Sequence, residues 1–340
     1  MTLAATAALA AVITALACAI PGTFVVLRGR SMVVDAMGHA MLPGVVIGYL
    51  VTGDLRSPLL IVGGAIAAIT AVLCIESLAR RRNVTGDAAL GIVYPALFSI
   101  GVLLLSTRAR HTHLDVNTVL VGDFNLAVLP QWQVGGSVLG SRYLWEVGTV
   151  CLVNVLFAWW FRKRLVASAF DPETAELLGL HPRRITLAAM TLTAFTVTVA
   201  FQGAGALLVL ALVVVPPAVG QLLSDCIRTM MIATITTAVI GALLGFQLAY
   251  WCNAPTSAGM AVVFGVLCVL AAGIVQMRRW RMRQRASSER ASLEGMADDR
   301  VASGLVLTER TTASASRQPQ PKGHAGRLHP VARAFSHPKS

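Results

Sequence analysis

The stretch Leu3–Leu27, LAATAALAAVITALACAIPGTFVVL, decides the fold class because it contains no Asp, Glu, Lys, Arg or His. About 20 helical residues are enough to cross the roughly 30 Å hydrocarbon core of a bilayer. The run therefore predicts a membrane-spanning helix. A secretory signal peptide has basic residues ahead of a shorter apolar core. No Lys or Arg precedes this run, so we expect the span to be retained.

Apolar runs of similar length recur along the chain. The composition agrees with this, since 56% of residues are hydrophobic and 13% charged, whereas soluble domains carry about 25% charged residues. The predicted spans are residues 3–27, 33–52, 57–79, 86–106, 144–161, 185–201, 204–223, 229–250 and 256–277. We therefore predict an all-α, polytopic transmembrane bundle of about nine spans, within a range of about eight to ten.

Basic residues test the number of spans, because Lys and Arg concentrate in cytoplasmic loops. Nine alternating spans place most of them on one side: Arg28, Arg30, Arg80, Arg81, Arg82, Arg162, Lys163, Arg164, Arg183, Arg184, Arg228, Arg278, Arg279, Arg281 and Arg283. Arg108, Arg110 and Arg142 are among the exceptions. We therefore expect the N-terminus outside and the C-terminus in the cytoplasm.

The C-terminal segment differs from the rest of the chain. Residues 278–340 hold thirteen Lys and Arg against five Asp and Glu, which is +8 of the net charge of +12. The net positive charge of the chain is therefore mainly a property of the tail and does not predict nucleic-acid binding. Residues 281–340 are rich in Arg, Ser, Ala and Pro without apolar periodicity, a composition typical of disorder. We predict a transmembrane domain over residues 1–280 and a disordered basic cytoplasmic tail over 281–340. The basic start of the tail could lie on the anionic headgroups of membrane lipid, and the alternative is a tail that only marks the inner side.

The long loop at residues 107–143 contains a moderately apolar stretch, Val119 to Leu129, followed by Pro130. A re-entrant or interfacial segment is one interpretation. A full crossing is the other, but it would invert the downstream topology and place the basic residues on the wrong side.

Asp35 and His39 open the second predicted span, and charge inside a span is costly enough to indicate function. Their spacing of four residues places both side chains on one helix face. A carboxylate oxygen and an imidazole nitrogen are half of a site for Zn²⁺, Mn²⁺ or Fe²⁺. A simple hydrogen-bonded pair near a helix N-terminus is the alternative, and spacing alone does not decide between them.

The predicted inner loop at residues 170–180 reads FDPETAELLGL. Asp171 and Pro172 favour the start of a helix, Glu173 adds an acid in its first turn, and Gly179 favours its end. A short helix at the inner surface would let a cytoplasmic motor dock, but a simple connector helix has the same pattern.

Several catalytic motifs are absent from the sequence. No G-x-x-x-x-G-K-[ST] occurs, and none of the three lysines, Lys163, Lys322 and Lys339, follows a glycine, so the chain is not a P-loop ATPase. The motifs H-E-x-x-H and G-x-S-x-G are also missing. We predict a protein without catalytic residues or a permanently bound cofactor.

Five segments, in order, carry a resemblance to a known family. They are VLRGRSMVVDAMGHAMLPG at 26–44, GDAALGIVY at 86–94, DPETAELLG at 171–179, GALLVLALVVVP at 205–216 and APT at 254–256. The chain resembles the permease subunits of bacterial ABC transporters that import zinc, manganese or iron. The resemblance runs from about residue 20 to residue 277, which is most of the predicted membrane portion.

The resemblance implies roles that the residues alone leave open. Asp35 and His39 match the family's membrane metal site. Asp171, Glu173, Ala175 and Gly179 match the segment that contacts the ATPase. The implied partners are an ABC ATPase subunit, an extracytoplasmic metal-binding protein and a second permease copy, identical or related. The implied location is the bacterial inner membrane.

A second class, an ion-gradient-driven secondary transporter, stays open at this stage. Such a transporter needs several intramembrane carboxylates for proton or sodium relay, and the predicted spans contain few. An oxygen and nitrogen ligand pair suits zinc, manganese and iron alike, so the sequence does not choose the metal.

Overall fold

A computed structural model describes the backbone of residues 3–54, 57–81, 84–108, 122–134, 137–170, 176–177, 179–224 and 226–315. We number its helices and strands in chain order. They are α1 (Leu3–Leu27), α2 (Met32–Ala40), α3 (Leu42–Thr52), α4 (Pro58–Leu78), α5 (Gly86–Arg108), α6 (Phe124–Ala127), β1 (Gln131–Val134), β2 (Ser137–Ser141), α7 (Arg142–Phe170), α8 (Pro182–Leu223), α9 (Ile227–Cys252) and α10 (Thr256–Ala315).

Within the described ranges, eight helical stretches are long and apolar enough to cross a membrane, with α2 and α3 together forming one of them. This confirms the predicted all-α polytopic architecture and the range of eight to ten spans. The orientation, with the N-terminus outside, stays a prediction.

The difference from nine spans lies in α8, which extends over 42 residues. A straight helix of that length would measure about 63 Å, twice the roughly 30 Å hydrocarbon core. The backbone leaves the helical conformation at Gly205 (φ 72°, ψ 168°), the second residue of the span predicted at 204–223 and close to its boundary with the span predicted at 185–201. Pro216 and Pro217 also lie inside α8 and keep helical torsion angles.

Helix α1 lies at the centre of the bundle and packs against α7, α8 and α9. Its buried face consists largely of alanines, whose small side chains let helix backbones approach closely. At Gly22 a Cβ atom would lie 2.1 Å from the carbonyl oxygen of Val213 on α8. The centre of the bundle is therefore held by backbone proximity rather than by large side chains.

Helices α3 and α4 meet at a pair of glycines. A Cβ atom on Gly44 would lie 2.0 Å from the carbonyl oxygen of Gly63, and one on Gly63 would lie 2.4 Å from that of Gly44. Because both neighbouring atoms belong to the backbone, neither can move aside as a flexible side chain would. This crossing fixes the hairpin that follows α2.

The segment between α5 and α7 is partly described, from residue 122 onward. Helix α6 spans four residues, about 6 Å, and β1 pairs antiparallel with β2. In the described part no crossing occurs, because α6 caps the bundle with Phe124 fully buried. The remainder of the stretch considered re-entrant, up to residue 121, lies outside the described residues.

The same cap is hydrogen-bonded to the start of α10. The hydroxyl of Thr256 donates to Oδ1 of Asp123 (2.9 Å) and accepts from the backbone N–H of Phe124 (2.9 Å). Asp123 also accepts from the N–H of Asn125 (3.0 Å) and so caps α6.

Intrachain contacts divide the chain after Met277, close to the boundary predicted at residue 280. The helix that begins at Thr256 continues to Ala315, so it extends into the tail predicted over residues 281–340. Strong helix formers such as Ala, Arg, Glu, Met and Leu make up most of residues 281–315, and they favour helix without an apolar face. Residues 316–340 lie outside the described part of the chain.

Replacing Gly44 with Ala should weaken the α3–α4 crossing, because the new methyl group overlaps a backbone carbonyl. Overpacking of this kind costs about 1–3 kcal/mol. We expect a lower melting temperature for the detergent-purified Gly44→Ala variant. Gly148→Ala on α7 is the matched control, since its Cβ meets no atom within 4 Å. Equal melting temperatures for the two variants would contradict the packing described for Gly44.

Candidate metal site

Helix α2 presents Asp35 and His39 on one face, as their spacing predicts. The Nε2 atom of His39 lies 3.5 Å from Oδ1 of Asp35. Hydrogen bonds of this kind measure about 2.7–3.2 Å, so the two groups are close without being bound tightly to each other. The side chains remain 34% and 42% exposed for His39 and Asp35 respectively. Both groups are therefore available to a third atom.

Open space lies in front of this pair. A small, partly open pocket lies between α2 and the middle of α8. Its lining residues are Val34, Asp35, Gly38, His39, Val197, Phe201, Ala206, Val209 and Leu210. Gly38 contributes to this space, because a Cβ atom there would meet nothing within 4 Å. The carboxylate and the imidazole thus share a cavity whose other walls are apolar.

Aromatic side chains from α5 hold the imidazole from another side. The ring centroid of His39 lies 5.9 Å from that of Tyr94 and 5.6 Å from that of Phe98, the latter in an edge-on arrangement. Such contacts restrict the rotation of the imidazole. No local sequence pattern around His39 predicts Tyr94 and Phe98 as its neighbours, since they come from a different span.

The opposite wall of the pocket is formed where α8 breaks. Phe201 and Ala206, on either side of Gly205, both line the cavity. The loop before α6 lies against the break, where a Cβ atom on Gly122 would approach the backbone nitrogen of Gly205 to 2.4 Å. The sequence shows Gly203 and Gly205 only as small residues suited to close packing, a signal that does not reveal their position beside the pocket.

Buried polar groups connect the helices around this region. Asn154 on α7 donates from its side-chain amide to the carbonyl of Ala17 and to the hydroxyl of Thr196, both at 2.9 Å. The Tyr143 and Thr14 hydroxyls lie 3.0 Å apart. Hydrogen bonds between membrane helices contribute about 0.6–2 kcal/mol each, so these contacts hold α1, α7 and α8 together behind the pocket.

The number of ligands sets the strength of the site. Among the described residues, no group of three or more His, Cys, Asp or Glu side chains comes together. Structural zinc sites use four protein ligands. A pair of ligands from one chain is suited to transient contact with a metal ion rather than to permanent storage.

The segment between α7 and α8 is described only in part. Asp171, Glu173 and Ala175 lie outside the described residues. Gly179 adopts a left-handed conformation (φ 73°), and its N–H donates to the carbonyl of Glu176 (3.0 Å). This geometry is what a helix stop at glycine requires. Leu177, one of the few described residues of the segment, is 88% exposed.

Comparison with known proteins identifies related sequences and structures. The sequence profile of the ABC 3 transport family matches residues 1–275. The manganese transport system membrane protein MntD of Bacillus subtilis is 33% identical over 255 residues, which are 75% of this chain and 86% of MntD. The zinc transport system membrane protein TroD of Treponema pallidum is 37% identical over 262 residues, which are 77% of this chain and 71% of TroD.

A solved structure has the same fold. The structure of PsaBC from Streptococcus pneumoniae in complex with Fab superposes with a TM-score of 0.67. The match covers 80% of this chain and 91% of the solved chain at 20% identity.

Replacing Gly205 with Ala tests the break that forms the far wall of the pocket. Its φ of 72° and ψ of 168° belong to a region open essentially to glycine alone, with a cost of order 1–3 kcal/mol for other residues. We expect Gly205→Ala to unfold at a lower SDS fraction in mixed micelles. Gly273→Ala is the control, because its Cβ meets open space. An unchanged unfolding midpoint for Gly205→Ala would show that α8 does not need this conformation.

Proposed function

The chain belongs to the ABC 3 transport family, and on that premise we propose that it is the permease subunit of an ATP-driven importer of manganese, zinc or iron. It is a multi-pass protein of the bacterial inner membrane. The metal ion is the cargo. Relatives named as manganese and zinc transport proteins support this substrate class.

The observation that carries the proposal is the pocket between α2 and the break in α8. Asp35 and His39 offer one oxygen and one nitrogen ligand, 3.5 Å apart, to a cavity with otherwise apolar walls. A divalent ion entering such a cavity loses water and needs charged or polar ligands in exchange. The pair supplies them on the route through the bundle.

A second permease copy would complete the ligand set. One chain offers two ligands among its described residues, and two copies facing each other would offer four, the number that zinc prefers. Closing the pair around the ion would hold it, and separating the copies would halve the ligand set and release it. A site that opens in this way suits transport, because an ion held by four ligands of one rigid chain would leave slowly.

The free energy of ATP hydrolysis that drives transport must come from another subunit, because the sequence has no P-loop. The segment from Asp171 to Gly179 is the proposed contact with an ABC ATPase. The exposed Leu177 supports this, since an apolar side chain that is 88% exposed is free to be buried by a partner. An extracytoplasmic metal-binding protein would deliver the ion from the other side.

Import rather than export follows from the proposed orientation and delivery. The basic residues favour the cytoplasm for the end of the bundle that carries Arg28, Arg80 and Arg164. The family match favours the ATP-driven permease over the ion-gradient-driven transporter, the alternative left open by the sequence. The ligand pair does not select between the three metals, since geometry and availability decide such selectivity.

Removing either ligand should abolish metal uptake without preventing membrane insertion. We expect Asp35→Asn and His39→Ala to lower the uptake of radiolabelled manganese or zinc by about tenfold or more, as expected when a charged ligand is lost from a desolvated ion. Asp87→Asn is the control, an exposed carboxylate in the first turn of α5. Normal uptake by either ligand variant in a strain lacking the native permease would refute the role of the pair.

Changing the exposed leucine of the coupling segment should weaken the contact with the ATPase. We expect Leu177→Asp to reduce the amount of ATPase that co-purifies with the permease in detergent, because a carboxylate cannot be buried in an apolar interface without cost. Leu177→Met keeps the apolar contact and should co-purify normally. Full co-purification with Leu177→Asp would place the ATPase contact elsewhere.

A further inference from the structure

The first residue after α1, Arg28, is hydrogen-bonded to both helices that flank the proposed coupling segment. Its guanidinium donates to the carbonyl oxygen (3.2 Å) and to the hydroxyl (2.8 Å) of Ser168 in the last turn of α7. It also donates to the hydroxyl of Thr186 in the first turns of α8. A single side chain from a third helix thus joins the two ends of the segment.

The acceptors are arranged to receive this guanidinium. The hydroxyl of Ser168 donates its own proton to the carbonyl of Leu165 (3.0 Å), and that of Thr186 donates to the carbonyl of Pro182 (2.7 Å). Each hydroxyl therefore turns its lone pairs toward Arg28. Ser168 and Thr186 are both 4% exposed, so the contacts exclude most competing water.

The position of Ser168 at the C-terminal end of α7 strengthens its interaction with the Arg28 guanidinium. Ser168 lies among the last residues of α7, whose final carbonyls lack partners within the helix and carry partial negative charge. Arginine suits this place because its planar fork has several donors in fixed directions, whereas lysine is a point charge. Burial lowers the pKa of the Arg28 guanidinium, the neighbouring Arg30 lowers it further, and Glu76 opposes them.

The same short turn leads directly into the helix that carries the metal ligands. Gly29 adopts a left-handed conformation (φ 65°), and Arg30 lies 3.8 Å from the carboxylate of Glu76 on α4. Helix α2 begins at Met32, and Asp35 follows within one turn. Four residues therefore connect the anchor at α7 and α8 to the helix of Asp35 and His39.

We propose that Arg28 is a positioning residue that transmits movement of the coupling segment, on which the ATPase acts, to α2 and its metal ligands. This inference rests on the proposed function. When the ends of the segment shift, the guanidinium moves with Ser168 and Thr186, and the turn at Gly29 and Arg30 carries the shift into α2. Arg28 touches neither the metal nor the nucleotide.

The test uses the complete transporter, with permease, ATPase and binding protein, reconstituted in proteoliposomes. Manganese uptake and ATP hydrolysis are measured in the same preparation. We expect Arg28→Gln to lower the uptake per ATP hydrolysed by about tenfold, the scale of one or two lost charge-assisted hydrogen bonds. ATP hydrolysis and co-purification of the ATPase should persist. Arg28→Lys should recover part of the lost coupling.

Two further variants separate transmission from a merely structural role. Arg81→Gln removes an exposed arginine that follows α4 and should leave the uptake per ATP unchanged. Thr186→Val removes the hydroxyl that accepts a hydrogen bond from Arg28 and keeps a side chain of nearly the same shape. It should lower coupling partly in the native background and cause no further loss in the Arg28→Gln background.

The outcomes distinguish this inference from the proposed function. Native uptake per ATP in Arg28→Gln, with an active native transporter, would overturn the role of Arg28 alone. Loss of ATP hydrolysis together with uptake would also overturn it, since that result indicates an assembly defect. A native transporter that moves neither manganese, zinc nor iron would overturn the proposed function and the inference with it.

Discussion

The absence of water from the hydrocarbon layer is the constraint on which this structure depends. In that layer every backbone N–H and C=O must find a partner within the protein, so the chain crosses as helices. A polar side chain costs free energy there unless it is bonded or faces a cavity. Asn154, Tyr143 and Thr14 obey this rule through hydrogen bonds behind the pocket. Asp35 and His39 are different, because they remain half-exposed toward open space. We propose that an arriving metal ion is the partner of these two side chains.

The close approach of helix backbones makes room for that cavity. Glycines at the α1–α8 and α3–α4 crossings bring helices to distances that no side chain would permit. The break at Gly205 has the contrary effect of leaving space between helices. It interrupts α8 across the pocket from Asp35 and His39 and places Phe201 and Ala206 on the pocket wall. A rigid frame and one local interruption together produce a defined site within an otherwise packed bundle. Arg28, in the turn that precedes α2, is hydrogen-bonded to Ser168 and Thr186, which flank the proposed coupling segment.

Much of the fold could be predicted from the sequence, because long apolar runs and basic flanks report directly on membrane crossing. The spacing of Asp35 and His39 likewise predicted a shared face, since it depends only on the helical repeat. What the sequence could not show depends on contacts between distant segments. Tyr94 and Phe98 contact His39 from another span. Gly122 packs against Gly205 from a loop. Neither contact can be predicted from a local sequence pattern. Within α8 the torsion angles change at Gly205, where positive φ is free of steric cost.

The central claim is that Asp35 and His39 hold the transported ion with oxygen and nitrogen ligands. X-ray absorption spectroscopy of zinc bound to the purified permease, without its binding protein, tests this most directly. If Asp35 and His39 hold the ion, the first coordination shell of the zinc contains nitrogen and oxygen atoms at about 2.0–2.2 Å. The scattering from the imidazole then disappears in His39→Ala. Sulfur scattering at about 2.3 Å, or an unchanged spectrum in His39→Ala, would place the ion on other residues and contradict the account.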